Sequence, residues 1–293
     1  MKFIKKSVAF NSAIRIMVSI GDLYPLATDQ ENAKRRFKMT TENIKWSNYL
    51  KEVVEQEGII SDCYRLFHEY SVGNQLLAYH QLKDRGLSLS PIATYKKWQS
   101  LGRNVKRGEK AISLLLPIAI KQKNENGEDT GKVFRIYKEK ANWFSLEQTD
   151  GEEFVAPAIQ NWDADLALKN LDIKQVKYEY ASGNCQGYAK DREFAINPIA
   201  QYPHKTRFHE IAHIVLGHTQ EGLFADSELT PKDIREVEAE SVAYILCKTL
   251  DLSGDKESRG YVQSWLQDGE ISDKSAQRIF SAADKILKSG KGE

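Results

Sequence analysis

The pentapeptide His209-Glu210-Ile211-Ala212-His213 sets two imidazoles four residues apart with a carboxylate beside the first. On an α-helix, residues i and i+4 lie on one face a turn apart, so both rings can reach one divalent ion. Glu210 then stands where a carboxylate can take a proton from a water on that ion. A catalytic zinc uses three protein ligands and keeps a fourth position open, so a third ligand must come from elsewhere in the chain. His218 does not fit the pattern HExxHxxGxxH, whose glycine and third-histidine positions hold Leu216 and Thr219. It reads instead as a residue at a helix C-terminus, where a partly positive imidazole suits the dipole. The run Glu236-Val237-Glu238-Ala239-Glu240 is better placed. Glu236 and Glu240 share a helix face, so Glu236 is expected as the third ligand and Glu240 as the group holding a ligating histidine by its second nitrogen. Glu240 is also the alternative ligand. Zinc is the expected ion, with manganese or iron also compatible with an N2O donor set.

These residues need elements to hold them. Phe194 to Asn197 reads as a short strand stopped by Pro198, able to align an extended peptide by backbone pairing. A helix follows, with an N-cap expected at Thr206, an apolar stripe of Phe208, Ile211, Ala212, Val215 and Leu216, and a stop at Gly217. A second helix runs from Arg235 through Cys247, and Ala239 and Ala243 are small enough for the two helices to approach closely. Ahead of the motif, Leu166 to Leu171 reads as a short helix and Tyr178 to Tyr188 as a strand pair around Ser182-Gly183-Asn184.

The N-terminal half has a different character. Trp46, Tyr49, Leu50, Val53 and Val54 recur at helical spacing before Gly58; Cys63, Leu66, Phe67 and Tyr70 form a second stripe, and Asn74 to Leu82 a third helix. The amides of Asn74, Gln75 and Gln81 can donate and accept, so they are candidates for reading nucleobases or backbone. From Lys83 to Lys110 there are eight basic residues against two acidic ones, interleaved with Tyr95 and Trp98. Single-stranded nucleic acid is bound by cations that track phosphates and rings that stack bases, and this segment offers both. Ile112 to Ile120 and Val133 to Tyr137 read as a hairpin around a polar insertion, with a further strand at Asn142 to Ser145, before an acidic linker over 147–160.

The 293-residue chain, 41 % apolar with a net charge of +1, fits two modest α+β domains and contains no apolar run long enough to cross a membrane. Cys63, Cys185 and Cys247 are widely spaced without any CxxC, which fits a reduced cytoplasm and excludes a cysteine-zinc site. Lys2, Lys5 and Lys6 precede an apolar stretch from Val8 to Ile20, but Asn11, Ser12 and Arg15 interrupt it, so residues 1–40 are read as a basic extension, with Met39 as an alternative start.

Two stretches carry a family resemblance. Phe67 to Gln81 and Thr94 to Pro117, with the run Trp98-x-x-x-Gly102-Arg103-x-Val105-x-x-Gly108-Glu109-Lys110, resemble the N-terminal domain of ArdC-type antirestriction proteins. From about Tyr178 onward, the strand before HEIAH, the following Gly217-His218, Glu236 to Ala243, and Tyr261 to Leu266 resemble the zincin-like metallopeptidase domain of the same family, and more distantly the ImmA/IrrE metallopeptidases. The resemblance implies a single-stranded-DNA-binding domain over 41–146, in which Trp98, Arg103, Lys106, Arg107 and Lys110 are the candidate contacts, joined by Tyr95 from its place in the basic segment. It also implies a zincin-like domain over 161–293 acting on an unknown protein substrate, in a mobile-element or conjugative setting. Two other functions fit the residues: an ImmA-type peptidase acting on a transcriptional repressor, and a non-catalytic DNA-coating protein with a structural metal site.

Overall fold

The computed structural model describes residues 44–123, 129–179, 185–219 and 231–292. The N-terminal extension, the alternative start at Met39, the tip of the expected hairpin and the Ser182-Gly183-Asn184 turn lie outside the described residues. What is described is mixed helix and sheet, as expected.

Three helices open the chain: α1 (Trp46–Glu55), α2 (Ile59–Phe67) and α3 (Val72–Asp84). Trp46, Leu50, Val53 and Val54 of α1 recur every three or four residues and all are buried, the signature of a one-sided helix. After strand β1 (Ile92–Thr94), Thr94 caps the short helix α4 (Tyr95–Ser100), its hydroxyl accepting from the Lys97 amide at 3.3 Å. Strand β2 (Arg103–Val105) is followed by the long hairpin of β3 (Ile112–Lys123) and β4 (Asp129–Ser145). β1 pairs antiparallel with the end of β4, giving the order β1-β4-β3.

β3 is thus an edge strand, and α3 covers part of that edge. The Asn74 side chain donates to Leu115 O at 2.9 Å and accepts from Leu115 N at 2.8 Å; Gln81 does the same to Ser113, at 2.8 and 2.9 Å. Each amide stands in for the missing neighbouring strand, because it carries one donor and one acceptor in the geometry of a peptide group. These two amides are therefore spent on the fold and not offered to nucleobases, and Gln75 donates to Tyr70 O at 2.9 Å. Gln81→Leu, which strands both Ser113 backbone groups, is expected to lower stability by about 1–3 kcal/mol in denaturant unfolding, with Gln81→Glu intermediate.

The expected linker is shorter than read from composition. Leu146–Gln148 form a 3-10 turn and β5 (Thr149–Gly151) pairs antiparallel with β2, so the stretch without regular structure begins at Glu152. Beyond it come α5 (Ala164–Leu171), a small sheet of β6 (Lys174–Gln175), β7 (Gly187–Lys190) and β8 (Glu193–Ile196) in the order β6-β8-β7, and α6 (Pro203–Leu216). Three helices close the chain: α7 (Lys232–Thr249), α8 (Asp255–Asp268) and α9 (Asp273–Ser289).

α7 is the hub. Every residue from Val237 to Cys247 is buried, which a helix achieves only when wrapped on all sides, and α6, α8, α9 and α2 supply the wrapping. The core also crosses from the N-terminal helices to the C-terminal ones. The last carbonyls of α1, left without partners by helix geometry, accept from the C-terminal half: Tyr244 Oη donates to Val53 O at 2.8 Å, Arg259 Nε to Val54 O at 2.6 Å and Arg259 Nη2 to Glu55 O at 2.7 Å. Lys45–Glu293 accordingly forms one compact unit.

Candidate functional site

α6 begins at Pro203, one turn before the expected cap. Proline at the first helical position loses nothing, because its absent N–H would have had no partner there, and Thr206 sits buried inside the first turn. The buried face includes Ile214 where Val215 was expected. At the other end Gly217 adopts φ +80 and ends the helix. Its N–H donates to Ile214 O at 3.1 Å and that of His218 to His213 O at 2.8 Å, the paired bonds of a Schellman turn. This reversal brings the His218 ring back against His213.

His209 and His213 face one point, their Nε2 atoms 3.1 Å apart. Glu236, from the first turns of α7, brings Oε2 to 3.4 Å from His209 Nε2 and 3.7 Å from His213 Nε2. One ligand atom from each of the three lies within 4.8 Å of the others. Two imidazole nitrogens and a carboxylate oxygen that converge in this way, from a helix and its neighbour, fit a divalent ion with an open position. Glu240 is placed differently: its Oε2 lies 2.7 Å from His209 Nδ1, and its Oε1 2.7 Å from Lys205 Nζ. Glu236 is therefore the residue beside the two Nε2 atoms, and Glu240 the one behind a ring.

The same contacts set the charges. Burial works against protonation of His209, but Glu236 and Glu240 outweigh it and raise the imidazole to about 9. Burial lowers His213. Glu236, hydrogen-bonded to His209 and His213, is held well below the carboxylate range, and Glu240, despite burial, is drawn down to about 2 by His209 and Lys205. Glu210 goes the other way: burial pushes it up to about 7, with His209 opposing. A metal must displace the proton that His209 holds below about pH 9. Affinity for zinc is expected to fall about tenfold for each pH unit from 9 to 7, as measured by competition with a chelator at fixed free ion. Affinity independent of pH over that window would mean His209 is no ligand.

His209, Glu210, His213 and Glu236 open on a cleft of about 360 Å³, also lined by Gly187 and Ala189 of β7 and by Lys232 and Arg235 of α7. The backbone expectation changes here. β8, read as the strand that would align a peptide, is the central strand of its sheet, with β6 parallel on one side and β7 antiparallel on the other; among the described residues β7 has an outer edge. Gly187 of β7 lies so close to α6 that a Cβ there would meet Thr206 Cγ2 at 2.7 Å and Glu210 Oε1 at 2.9 Å. The sequence reading did not single out this glycine, nor Lys205 behind Glu240.

His218 is not a third ligand. Its Nδ1 lies 3.0 Å from His213 Nδ1 and its Nε2 2.9 Å from Glu238 Oε2, so both nitrogens are engaged. Glu238 was also missed. Its signal was present: in Glu-x-Glu-x-Glu on a helix, the middle residue points about 200° away from its neighbours, here into the core.

The candidate DNA contacts divide. Trp98 is corrected: its side chain is 0 % exposed, its Nε1 donates to Phe144 O at 2.8 Å and its ring packs edge-on to Phe154, so it has no face for a base. Arg103 is spent on β5, its Nε donating to Thr149 Oγ1 and its Nη2 to Thr149 O, both at 2.9 Å, with Nη1 on Glu152 O. Lys106 Nζ donates to Glu147 O at 2.9 Å and pairs with Asp150 at 3.6 Å. Tyr95, Arg107 and Lys110 are exposed, as are Lys96 and Lys97. Tyr137 on β4, 61 % exposed, is an aromatic that the sequence reading had assigned only to a strand.

Comparison with known proteins bears on the N-terminal of these regions. Residues 39–148 match the family described as the N-terminal domain of anti-restriction factor ArdC. The match covers the N-terminal part of the chain alone. A curated relative, the uncharacterized Bacillus anthracis protein pXO2-81, is 23 % identical over 304 residues, covering 85 % of this chain and 49 % of its own length; the chain thus spans about half the length of that relative. Two crystal structures of the antirestriction ArdC protein from plasmid R388 are similar. The metal-free one is 20 % identical with a TM-score of 0.46, covering 84 % of this chain and 94 % of that one. The Mn(II)-bound one is 18 % identical with a TM-score of 0.48, covering 84 % and 97 %. Among the described residues, no helix is long and apolar enough to cross a membrane.

Proposed function

We propose that this chain is a cytoplasmic ArdC-type antirestriction protein of a mobile element, which binds single-stranded DNA through its N-terminal half and hydrolyses a peptide bond in a protein substrate at His209, His213, Glu236 and Glu210. The observation that carries the reading is the convergence of three ligand atoms within 4.8 Å beside a carboxyl held near neutrality at an open cleft. Zinc is the ion proposed, with manganese or iron as alternatives. When bound, it supplies the Lewis acidity that polarises a carbonyl and acidifies a water.

The protein's own groups do the rest. Glu210 takes the proton from the attacking water and returns it to the leaving amine, a task suited to a group that titrates near pH 7. The outer edge of β7, along the cleft wall, pairs with an extended substrate backbone. Glu240 keeps the second nitrogen of His209 occupied and its Nε2 aimed inward. On the DNA side, the rings of Tyr95 and Tyr137 offer stacking faces, and Lys96, Lys97, Arg107 and Lys110 the cations that neutralise phosphates.

The test is elemental mass spectrometry of the full chain beside His209→Ala, joined to a titration with a fluorescent oligonucleotide. About one ion per chain, lost in His209→Ala, supports the metal centre; no stoichiometric ion after reconstitution sinks it. DNA affinity should fall with salt and fall further in Arg107→Glu with Lys96→Glu, while His209→Ala leaves it unchanged. Binding indifferent to those substitutions would remove the basic face.

A further inference from the structure

We propose that His218 is a positioning residue for the metal site, holding His213 in the one tautomer that can bind an ion, with Glu238 fixing His218 in turn. The inference rests on the metal reading above and concerns residues outside the ligand set.

The argument begins with protons. A neutral imidazole has one N–H and one lone pair, so a ring that offers its Nε2 lone pair to a metal must carry its proton on Nδ1. For His213 that Nδ1 lies 3.0 Å from His218 Nδ1. Two nitrogens at hydrogen-bond distance need one donor and one acceptor, so His218 Nδ1 must be the lone pair and His218 Nε2 the N–H. His218 Nε2 lies 2.9 Å from Glu238 Oε2, a carboxylate able only to accept. A carboxylate offers no proton for the opposite arrangement, and Glu238 already faces donors on both oxygens: Ser275 Oγ donates to its Oε1 and Arg278 Nη1 lies 3.7 Å from its Oε2. With both rings neutral, the chain of bonds therefore admits a single order of donation, from His213 to His218 to Glu238.

Geometry adds to this. The His218 and Glu238 side chains are 2 % and 1 % exposed, so water does not compete for these bonds. Arg278 also donates to Leu216 O at 2.8 Å, tying the far end of the chain to the terminus of α6. The Schellman turn at Gly217 swings His218 back over its own helix, and neither ring of the pair can turn without breaking a buried bond. His209 is held by a shorter version of the same device, Glu240 with Lys205 behind it. The two ligands thus differ: one leans on a carboxylate, the other on an imidazole.

The deciding experiment titrates zinc chloride into the metal-free full chain in competition with a chromophoric chelator, for the natural protein and for His218→Ala, His218→Asn and His218→Gln, with melting temperatures of the metal-free forms alongside. The asparagine oxygen falls near the Nδ1 position and keeps an acceptor toward His213, whereas the glutamine amide reaches the Nε2 position and keeps the donor toward Glu238. His218→Ala should bind zinc about 10–100-fold more weakly. His218→Asn should recover most of that affinity, and His218→Gln should recover melting temperature more than affinity. Zinc affinity that follows melting temperature across the three variants, or that is unchanged in His218→Ala, would overturn the proposal and leave the metal site standing. Absence of zinc binding in the natural protein would overturn both.

Discussion

Glu210→Gln is expected to keep its full complement of metal and to lose peptide cleavage by about 10²–10⁴-fold, the usual worth of a general base. The amide has nearly the same shape and adds no charge, so the ligands and the packing against Gly187 persist. What it lacks is a site for the proton. Glu210 is held up to about 7 by burial, with His209 opposing, so cleavage by the natural protein should rise with pH as the carboxyl ionises, and a bound cation should move that midpoint down. A single-turnover assay on a cleaved substrate, run from pH 5 to 8, reads both effects. Undiminished cleavage in Glu210→Gln would remove this carboxyl from the chemistry. Protection of single-stranded DNA that survives in Glu210→Gln would favour occupancy of the DNA as the mechanism, with the metal site structural.

Removing Glu238 is expected to have the largest effect on stability of any single change near the site. Burial works against its ionisation, yet His218, Ser275 and Arg278 together hold it below the usual carboxylate range. Glu238→Ala leaves an imidazole N–H and a hydroxyl without partners inside the protein and a guanidinium at their edge, and loss of one member of such a buried set costs about 3–5 kcal/mol. Arg278 is partly exposed and can turn to water, which places the expected loss toward the lower figure. Urea unfolding at pH 7.5 would measure it, and Glu238→Gln, which still accepts from His218, should lose less. If Glu238→Ala unfolded at the natural midpoint, Glu238 would have no part in holding α6, α7 and α9 together.

The cluster of His209, His213 and Glu236 was legible because it is local. HExxH needs only helical periodicity to bring its rings together, and the turn-to-turn spacing of Glu236 and Glu240 gave their shared face. The contacts of His218 and Glu238 were not legible, because each depends on more than helical spacing: a Schellman turn for His218, and a serine and an arginine from α9 for Glu238. The basic segment shows the opposite failure. Its residue types suggested a groove, but Trp98 and Arg103 have chemistry as useful to a core as to a nucleic acid, and only burial and bonding separate the two uses. The amides of Asn74 and Gln81 taught the same point, their donors and acceptors being spent on the edge of β3. The helices of the N-terminal half followed their apolar spacing, whereas β8 was identified as a strand without its neighbours, so its central position and the outer edge of β7 emerged only with the sheet.

The carbonyls that end α1 accept from Tyr244 and Arg259, and this decides how the protein can be divided. A fragment stopping at Gln148, where the family match ends, would keep the exposed basic and aromatic residues but lose every one of those donors, together with the cover that α7, α8 and α9 give to α1, α2 and α3. Its exposed faces would be those of a core cut open, prone to self-association. The shorter piece would therefore make a poor stand-in for the intact chain in DNA-binding work, and a sequence that shared only the first 148 residues would need another set of helices to fold against.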